Sequence, residues 1–402
     1  MRSAKSSRRL TEPVLALFAC LAGIALRLWL ATRAHNYDME SWSITADLVA
    51  HGKNVYANTY RHPYGPVWFL VLGGLRHAHD ALGLARLGPE SFHVVVASFL
   101  SLVDVAIAWL LFRALGLVAA LFFVLNPVSI LITGYHSQFD NLAILLALGA
   151  WLLLWGPQGR TRLMASAALL GLSLATKHVL IFFPLWVVMC PRLIGPIGRR
   201  AAYAGSACAI AAATVVPFLF APGAWTGFVR HVVRYEPLYN HTLLLHVIDI
   251  FAPPEAVNSL FGLVPAGVGV LARLFAILML LAGWLVARRA PPRELLWCYL
   301  LALLVLTVQM GDQYLAIPLV ACAAYWRRWP AWVYVAPATL LAYWAGAEAG
   351  ALPLPRQRWE PYLSHWSYPH AQVWLAVLLA LTLWRPTCRG RRGGGGEDQV
   401  RA

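Results

Sequence analysis

Four polar side chains, His136, Gln138, Asp140 and Asn141, cluster between two long apolar runs in the stretch ITGYHSQFDNLAIL, residues 132–145. A soluble core rarely gathers so many polar groups at one point. A membrane protein does so where something is held at the boundary of water and lipid. A polar helix cap, with Asp140 or Asn141 at the N-terminus, accounts for one or two of them and leaves His136 and Gln138 over. Upstream, Asp38 and Glu40 lie just past the first apolar run. They precede a stretch, Ser41–His51, in which Trp42, Ile44, Ala46, Leu48 and Val49 give a rough apolar face suited to a helix lying on the membrane surface. A carboxylate there can serve as a general base on an acceptor hydroxyl; the plainer reading is a solvated loop acid.

Three basic or polar groupings complete the inventory. Lys177 and His178, in LATKHVLIFFP, are flanked by apolar residues on both sides. A cation so placed snorkels to an interface or faces an anionic head group, phosphate above all. Arg230 and Arg234, in FVRHVVRYEPLYNH, are four apart and would share one helix face, as a phosphate clamp or as part of an interfacial amphipathic helix. Gln313 and Tyr314 sit with Asp312 in GDQYLAIP, a polar turn that matters chemically only if it faces a cavity.

The elements that position these residues follow from composition. The chain has 402 residues, 60% hydrophobic and 12% charged, with continuous apolar runs almost end to end. Continuous rather than alternating runs point to helices, not a barrel. We expect an all-α polytopic transmembrane bundle of about twelve spans, near 13–31, 92–111, 115–132, 139–155, 163–176, 179–190, 201–220, 262–286, 294–310, 313–326, 330–346 and 371–384. It forms one domain over 1–386, followed by a basic, Gly-rich cytoplasmic tail over 387–402. The apolar stretch 63–77 is short and reads as re-entrant or incompletely spanning. Arg27 reads as a snorkelling side chain, and Asp104 as the main charge in the middle of a span.

The net charge of +15 does not argue for nucleic acid, because Lys and Arg fall in short clusters between apolar segments, as the positive-inside rule expects. On that rule the polar, aromatic-rich loops collect on the non-cytoplasmic face, so any chemistry faces outward. The six Cys show no metal-ligand or disulfide spacing, and no Walker loop, dinucleotide fingerprint or HExxH helix appears. An enzyme of this kind takes an activated substrate from the membrane itself.

The layout resembles the C-type glycosyltransferases, polytopic enzymes that take a sugar from a polyprenyl-phosphate carrier on the non-cytoplasmic face. The likeness is carried by one span, an acidic outer loop with surface helices, HPYGP (62–66), LNPVSILITGYHSQFDN (125–141), GLSLATKHVLIFFP (171–184) and QYLAIP (313–318). Ser137 stands where the branch using dolichyl-phosphate-glucose has an aromatic, and Asp140 where it has Asn. The resemblance implies Asp38 as catalytic base, with Glu40 as the substitute. It implies a pocket for sugar or acceptor lined by His62, His136, Gln138 and Asp140, together with Gln313 and Tyr314, and Lys177 or His178, with Arg230 or Arg234, on the carrier phosphate. The implied reaction transfers a hexose, mannose or glucose, with inversion onto a lipid-linked or glycan acceptor; the few cysteines and compact loops suggest a prokaryotic plasma membrane. No metal or other cofactor is expected. Partners are the bilayer, the polyprenyl-phosphate-sugar donor and the acceptor. The competing class is a transporter or flippase of a lipid-linked sugar or anionic lipid, which would want polar groups along the bundle midplane. A noncatalytic scaffold leaves the outer acids and histidines unexplained.

Overall fold

The computed structural model describes residues 2–33, 35–156, 159–234, 242–251, 264–308, 310–348 and 367–384, and among these no strand occurs. The tail expected over 387–402 lies outside the described residues. The helices α1 (Arg2–Ala31), α2 (Tyr37–Ala50), α3 (Val55–Asn58) and α4 (Pro66–Ala81) lead to α5 (Ser91–Leu115), α6 (Leu117–Val124), α7 (Pro127–Gly134), α8 (Asp140–Leu153) and α9 (Arg160–Thr176). Next come α10 (Phe183–Met189), α11 (Pro191–Ile194), α12 (Ile197–Val215), α13 (Ala224–Phe228) and α14 (Leu243–Phe251). The chain continues through α15 (Val264–Arg289), α16 (Leu295–Leu306), α17 (Leu319–Ala324), α18 (Trp329–Glu348) and α19 (Ser367–Leu383).

Each segment expected to cross coincides with a helix or a broken pair of helices. Among the described residues, three stretches are long and apolar enough to cross unaided: Thr11–Ala31, Ser91–Leu115 and Ile197–Phe218. Counting two bent pairs as single spans raises this to five. The helix α4, with 16 residues, is about 24 Å long at 1.5 Å per residue, short of the ~30 Å hydrocarbon core. It packs along α2.

The breaks have local causes. Gly116, at φ +94°, closes α5 and starts α6 in a backbone region that disfavours side chains. Asn126 then caps α7 by accepting from the Val128 N–H, with Pro127 at the first helical position; α6 and α7 meet at 46°. The sharpest break lies between α9 and the segment His178–Met189, a bend of 120°. Lys177 is the extended residue at that break, at φ −151° and ψ 144°. Discontinuous helices of this kind are where membrane proteins build polar sites.

One expectation is corrected. Arg27 does not snorkel: it is buried at 1% exposure, with Nε donating to Asp104 Oδ2 at 3.0 Å. Its other nitrogens donate to the Val124 carbonyl at 3.0 Å and Ser129 Oγ at 2.7 Å. Thr133 and Asn141 donate to the same carboxylate at 2.7 and 2.6 Å. The network ties α1, α5, α7 and α8 together. It also occupies Asp104, the mid-span charge that a carrier mechanism would have used.

Candidate functional site

The site forms where segments far apart in the chain converge around Lys177. The first is the start of α2. Asn36 caps it, its Oδ1 accepting from the Asp38 N–H at 3.1 Å, which puts the Asp38 side chain in the first helical turn. The Asn36 amide spends both its protons: Nδ2 donates to Asp38 Oδ2 at 3.1 Å and faces His136 Nδ1 at 2.9 Å. On this assignment His136 accepts at Nδ1 and carries its proton on Nε2.

The second segment is 135–139, between α7 and α8. Ser137 adopts φ +48°, the only non-glycine at positive φ among the described residues, and its carbonyl accepts from Trp42 Nε1 at 3.1 Å. A positive φ at a residue with a side chain costs energy and persists where surroundings enforce it. On its far side Gln138 Nε2 donates to Asp38 Oδ2. Asp140 is the first residue of α8 and does not cap it. Instead Asp140 Oδ2 accepts from Lys177 Nζ at 2.7 Å, with both side chains at most 1% exposed.

The third segment is the HPYGP turn. A Cβ at Gly65 would lie 1.9 Å from the Ala175 carbonyl oxygen, so the turn seats against the end of α9 only because residue 65 has no side chain. His62 is buried, bonded to the Gly65 carbonyl at 3.2 Å, and packs on Trp42, Tyr64 and Phe69. Tyr64 stacks on His178. The fourth segment is 312–316, which brings Tyr314 to Lys177. The ammonium lies 4.9, 4.8 and 5.4 Å from the ring centres of Tyr64, Phe139 and Tyr314, within cation–π range.

Electrostatics follow from burial. Burial holds the Asp38 carboxyl above the ordinary carboxylate range, opposed by nearby Lys177 and by the Asn36 and Gln138 hydrogen bonds. His62 and His136 are pushed down to about 4 by burial, so both are neutral at physiological pH. Gln138 Oε1 and Asp140 Oδ1 are buried acceptors without a hydrogen-bond partner, as are the ring nitrogens His62 Nδ1 and His136 Nε2 and the Ser137 hydroxyl.

Beside Lys177 opens a cavity of about 150 Å³. Its polar lining is Lys177, His178, Thr307 and Tyr314; its apolar lining includes Val179, Ile181, Phe275 and Leu304. A cation among mostly apolar lining residues suits an amphiphile with an anionic head.

Not every residue singled out from sequence joins this site. Glu40 is 57% exposed and pairs with Arg61 at 3.2 Å, away from the Asn36–Gln138 network. Arg230 lines a different cavity, with Tyr56, Tyr60 and His231, on a π-helical turn, Val229–Val233, and Arg234 ends that turn in solvent. The pair therefore does not share an α-helical face. Gln313 is half-buried beside Tyr314. Asn36 and Tyr64 were missed: a cap residue and an aromatic carry no chemistry of their own in a sequence. So were His35, Glu90 and His93, whose side chains meet. Their one sequence signal was the Glu-x-x-His spacing in PESFH.

Comparison with known proteins gives one match. The model of Glycosyltransferase family 87 matches residues 64–307, more than half of the chain, a range that holds 135–139 and Lys177 but neither Asp38 nor 312–316. No curated protein and no solved structure matches the chain.

Proposed function

The chain belongs to glycosyltransferase family 87 and is a membrane glycosyltransferase; on that premise we propose that it transfers a hexose from a polyprenyl-phosphate carrier to a lipid-linked or glycan acceptor, with Asp38 as general base. The observation that carries this reading is the Asp38 carboxylate, bonded by Asn36 and Gln138 and close enough to Lys177 to be influenced by its charge. Glu40 is spent on Arg61 at the surface, which favours Asp38 as the base of the two.

Asp38 takes the proton of the acceptor hydroxyl, and the oxygen attacks the anomeric carbon opposite the carrier. The bond from that carbon to the phosphate oxygen breaks with inversion, leaving polyprenyl phosphate. Lys177, with His178 and Tyr314 in the same lining, stabilises the charge gathering on the leaving phosphate. The apolar lining accommodates the first isoprene units. The free acceptors Gln138 Oε1 and Asp140 Oδ1 receive sugar hydroxyls. With a monophosphate leaving group and a cation already in the cavity lining, the transfer step needs no metal. The surrounding helices complete a bundle of about twelve spans in a prokaryotic plasma membrane, with this site on the outer face.

The test is sugar transfer by the purified protein in lipid, with polyprenyl-phosphate-mannose and polyprenyl-phosphate-glucose offered in turn and a membrane extract as acceptor. Wild-type transfer that falls at least ~100-fold in Asp38→Asn, with Glu40→Gln near wild type, supports the reading. Equal transfer by Asp38→Asn overturns the assignment of the base, and no transfer from either donor overturns the donor class.

A further inference from the structure

His35, Glu90 and His93 bring their ligand atoms within 4.8 Å of one another, outside the site described above. His35 follows the end of α1, Glu90 immediately precedes α5, and His93 lies in the first turn of α5. His35 Nδ1 is 2.9 Å from Glu90 Oε2, and His93 Nδ1 is 3.6 Å from the same oxygen. The two imidazoles meet edge to face at 5.7 Å between centres.

The plainer account is a His35–Glu90 ion pair with His93 as a bystander. It fails to explain His93. That side chain is 2% exposed, yet neither ring nitrogen makes a hydrogen bond of ordinary geometry, although the Ala31 carbonyl also faces the ring. A buried imidazole that faces Glu90 and the Ala31 carbonyl without an ordinary hydrogen bond to either calls for an explanation. Two of the three separations suit a ligand set, and the third lies within 4.8 Å. A tetrahedral ion with bonds of about 2.0–2.1 Å spaces its ligand atoms roughly 3.4 Å apart, and 2.9 and 3.6 Å bracket that value. A backbone carbonyl facing a metal-bound imidazole, as that of Ala31 faces His93, is a usual outer partner.

We propose that His35, Glu90 and His93 bind a first-row divalent cation, zinc being the best match, with the fourth position open to the adjoining cavity. That cavity, about 290 Å³, is also lined by Met39, Glu40 and Ser43 of α2. Two imidazoles and one carboxylate select against magnesium and calcium, which prefer all-oxygen shells. Three protein ligands with one open position make an exchangeable site rather than a closed structural one. The ion would clasp the linker before α2 to the start of α5. Because Asn36 follows His35 directly, the clasp also fixes the residue that caps α2 and bonds Asp38. This last consequence rests on the proposed function; zinc binding itself does not.

The experiment uses the full chain in detergent, purified without a polyhistidine tag. Zinc binding is measured by competition with a chromophoric chelator, and cobalt is substituted for its optical spectrum. One zinc per chain, weakened at least ~100-fold in His35→Ala and ~10-fold or more in Glu90→Gln, together with tetrahedral cobalt bands lost in both variants, is the expected result. Zinc should raise the melting temperature of the wild type and not that of His35→Ala. Wild-type stoichiometry no higher than that of a His35→Ala/Glu90→Gln double variant overturns the proposal, as does unchanged affinity in His35→Ala. Neither variant requires His93, the residue whose loss most endangers folding. Zinc binding without detectable sugar transfer would leave this site standing and count against the function proposed above.

Discussion

Gln138 and Asp38, one hundred residues apart in sequence, meet side chain to side chain, Nε2 of the amide donating to Oδ2 of the carboxylate. The contact joins the start of α2 to the turn before α8 and makes the carboxylate's ionisation depend on both. Burial raises the Asp38 pKa, while Lys177, Asn36 and Gln138 pull it back. A base works ionised, so activity should rise with pH through that elevated value and then level off. Gln138→Ala removes a hydrogen bond that favours the charged form. The acid limb of kcat/KM should therefore move to higher pH, with about a tenfold loss at neutral pH. A pH–rate profile decides this; a limb moving to lower pH contradicts the arrangement.

The same shift fixes a stability prediction. Asp38 has a folded pKa above its unfolded value, so the native state binds the proton more tightly. Its contribution to stability is complete below the unfolded pKa and is lost as pH rises through the folded one. At neutral pH the ionised carboxylate is a burden on the fold. Asp38→Asn should therefore melt at the wild-type temperature or above it, although it abolishes transfer. A variant both inactive and unstable would mean that Asp38 is structural.

Lys177 and Asp140 separate stability from chemistry in a different way. Both are buried, 2.7 Å apart, so removing one strands the other. Lys177→Met alone should cost on the order of 3–5 kcal/mol. Adding Asp140→Leu should recover much of that, because a buried pair is often replaceable by apolar groups. Transfer should stay lost in both, since neither returns a cation to the cavity lining. Thermal melts beside donor-dependent transfer measure the two effects, and a double variant that regains transfer would exclude Lys177 as the phosphate cation.

Away from the site, the Arg27 guanidinium serves Asp104, Ser129 and the Val124 carbonyl together, a fork that an ammonium cannot reproduce. Arg27→Lys should lower the melting temperature measurably, and Arg27→Met should cost ~3–5 kcal/mol by leaving Asp104 buried without its counterion. A snorkelling arginine would tolerate lysine without loss, so the Lys variant tells the two environments apart.

The helical segments were legible in the sequence because apolar length and continuity determine what can be buried in lipid. The polar cluster at 136–141 was legible because polar groups between apolar runs demand a use. Pairings were not legible: nothing in the sequence ties Lys177 to Asp140 or Arg27 to Asp104, since each bond depends on how separate helices pack. Arg27 was misread because a basic residue near a span end has the same local signature whether it reaches water or a buried partner. Asp38 and Glu40 were indistinguishable two residues apart. Their neighbours separate them, Gln138 for one and Arg61 for the other.

The groove beside Lys177 offers the last prediction. Ile181 lines it while remaining 57% exposed, so a larger side chain there can intrude without disturbing the core. If the carrier's isoprenoid chain lies in the groove, Ile181→Trp should raise KM for a long polyprenyl-phosphate donor about tenfold, near 1.4 kcal/mol. Because the proposed reacting groups at Asp38 and Lys177 are untouched, kcat should stay within about twofold. A donor on a short, water-soluble prenyl chain makes little use of the groove and should show almost no change in KM. Comparing the two donors on the same variant isolates the tail from the head. An equal rise for both would mean that the introduced indole obstructs the phosphate, and an unchanged KM for the long donor would mean that the chain runs elsewhere.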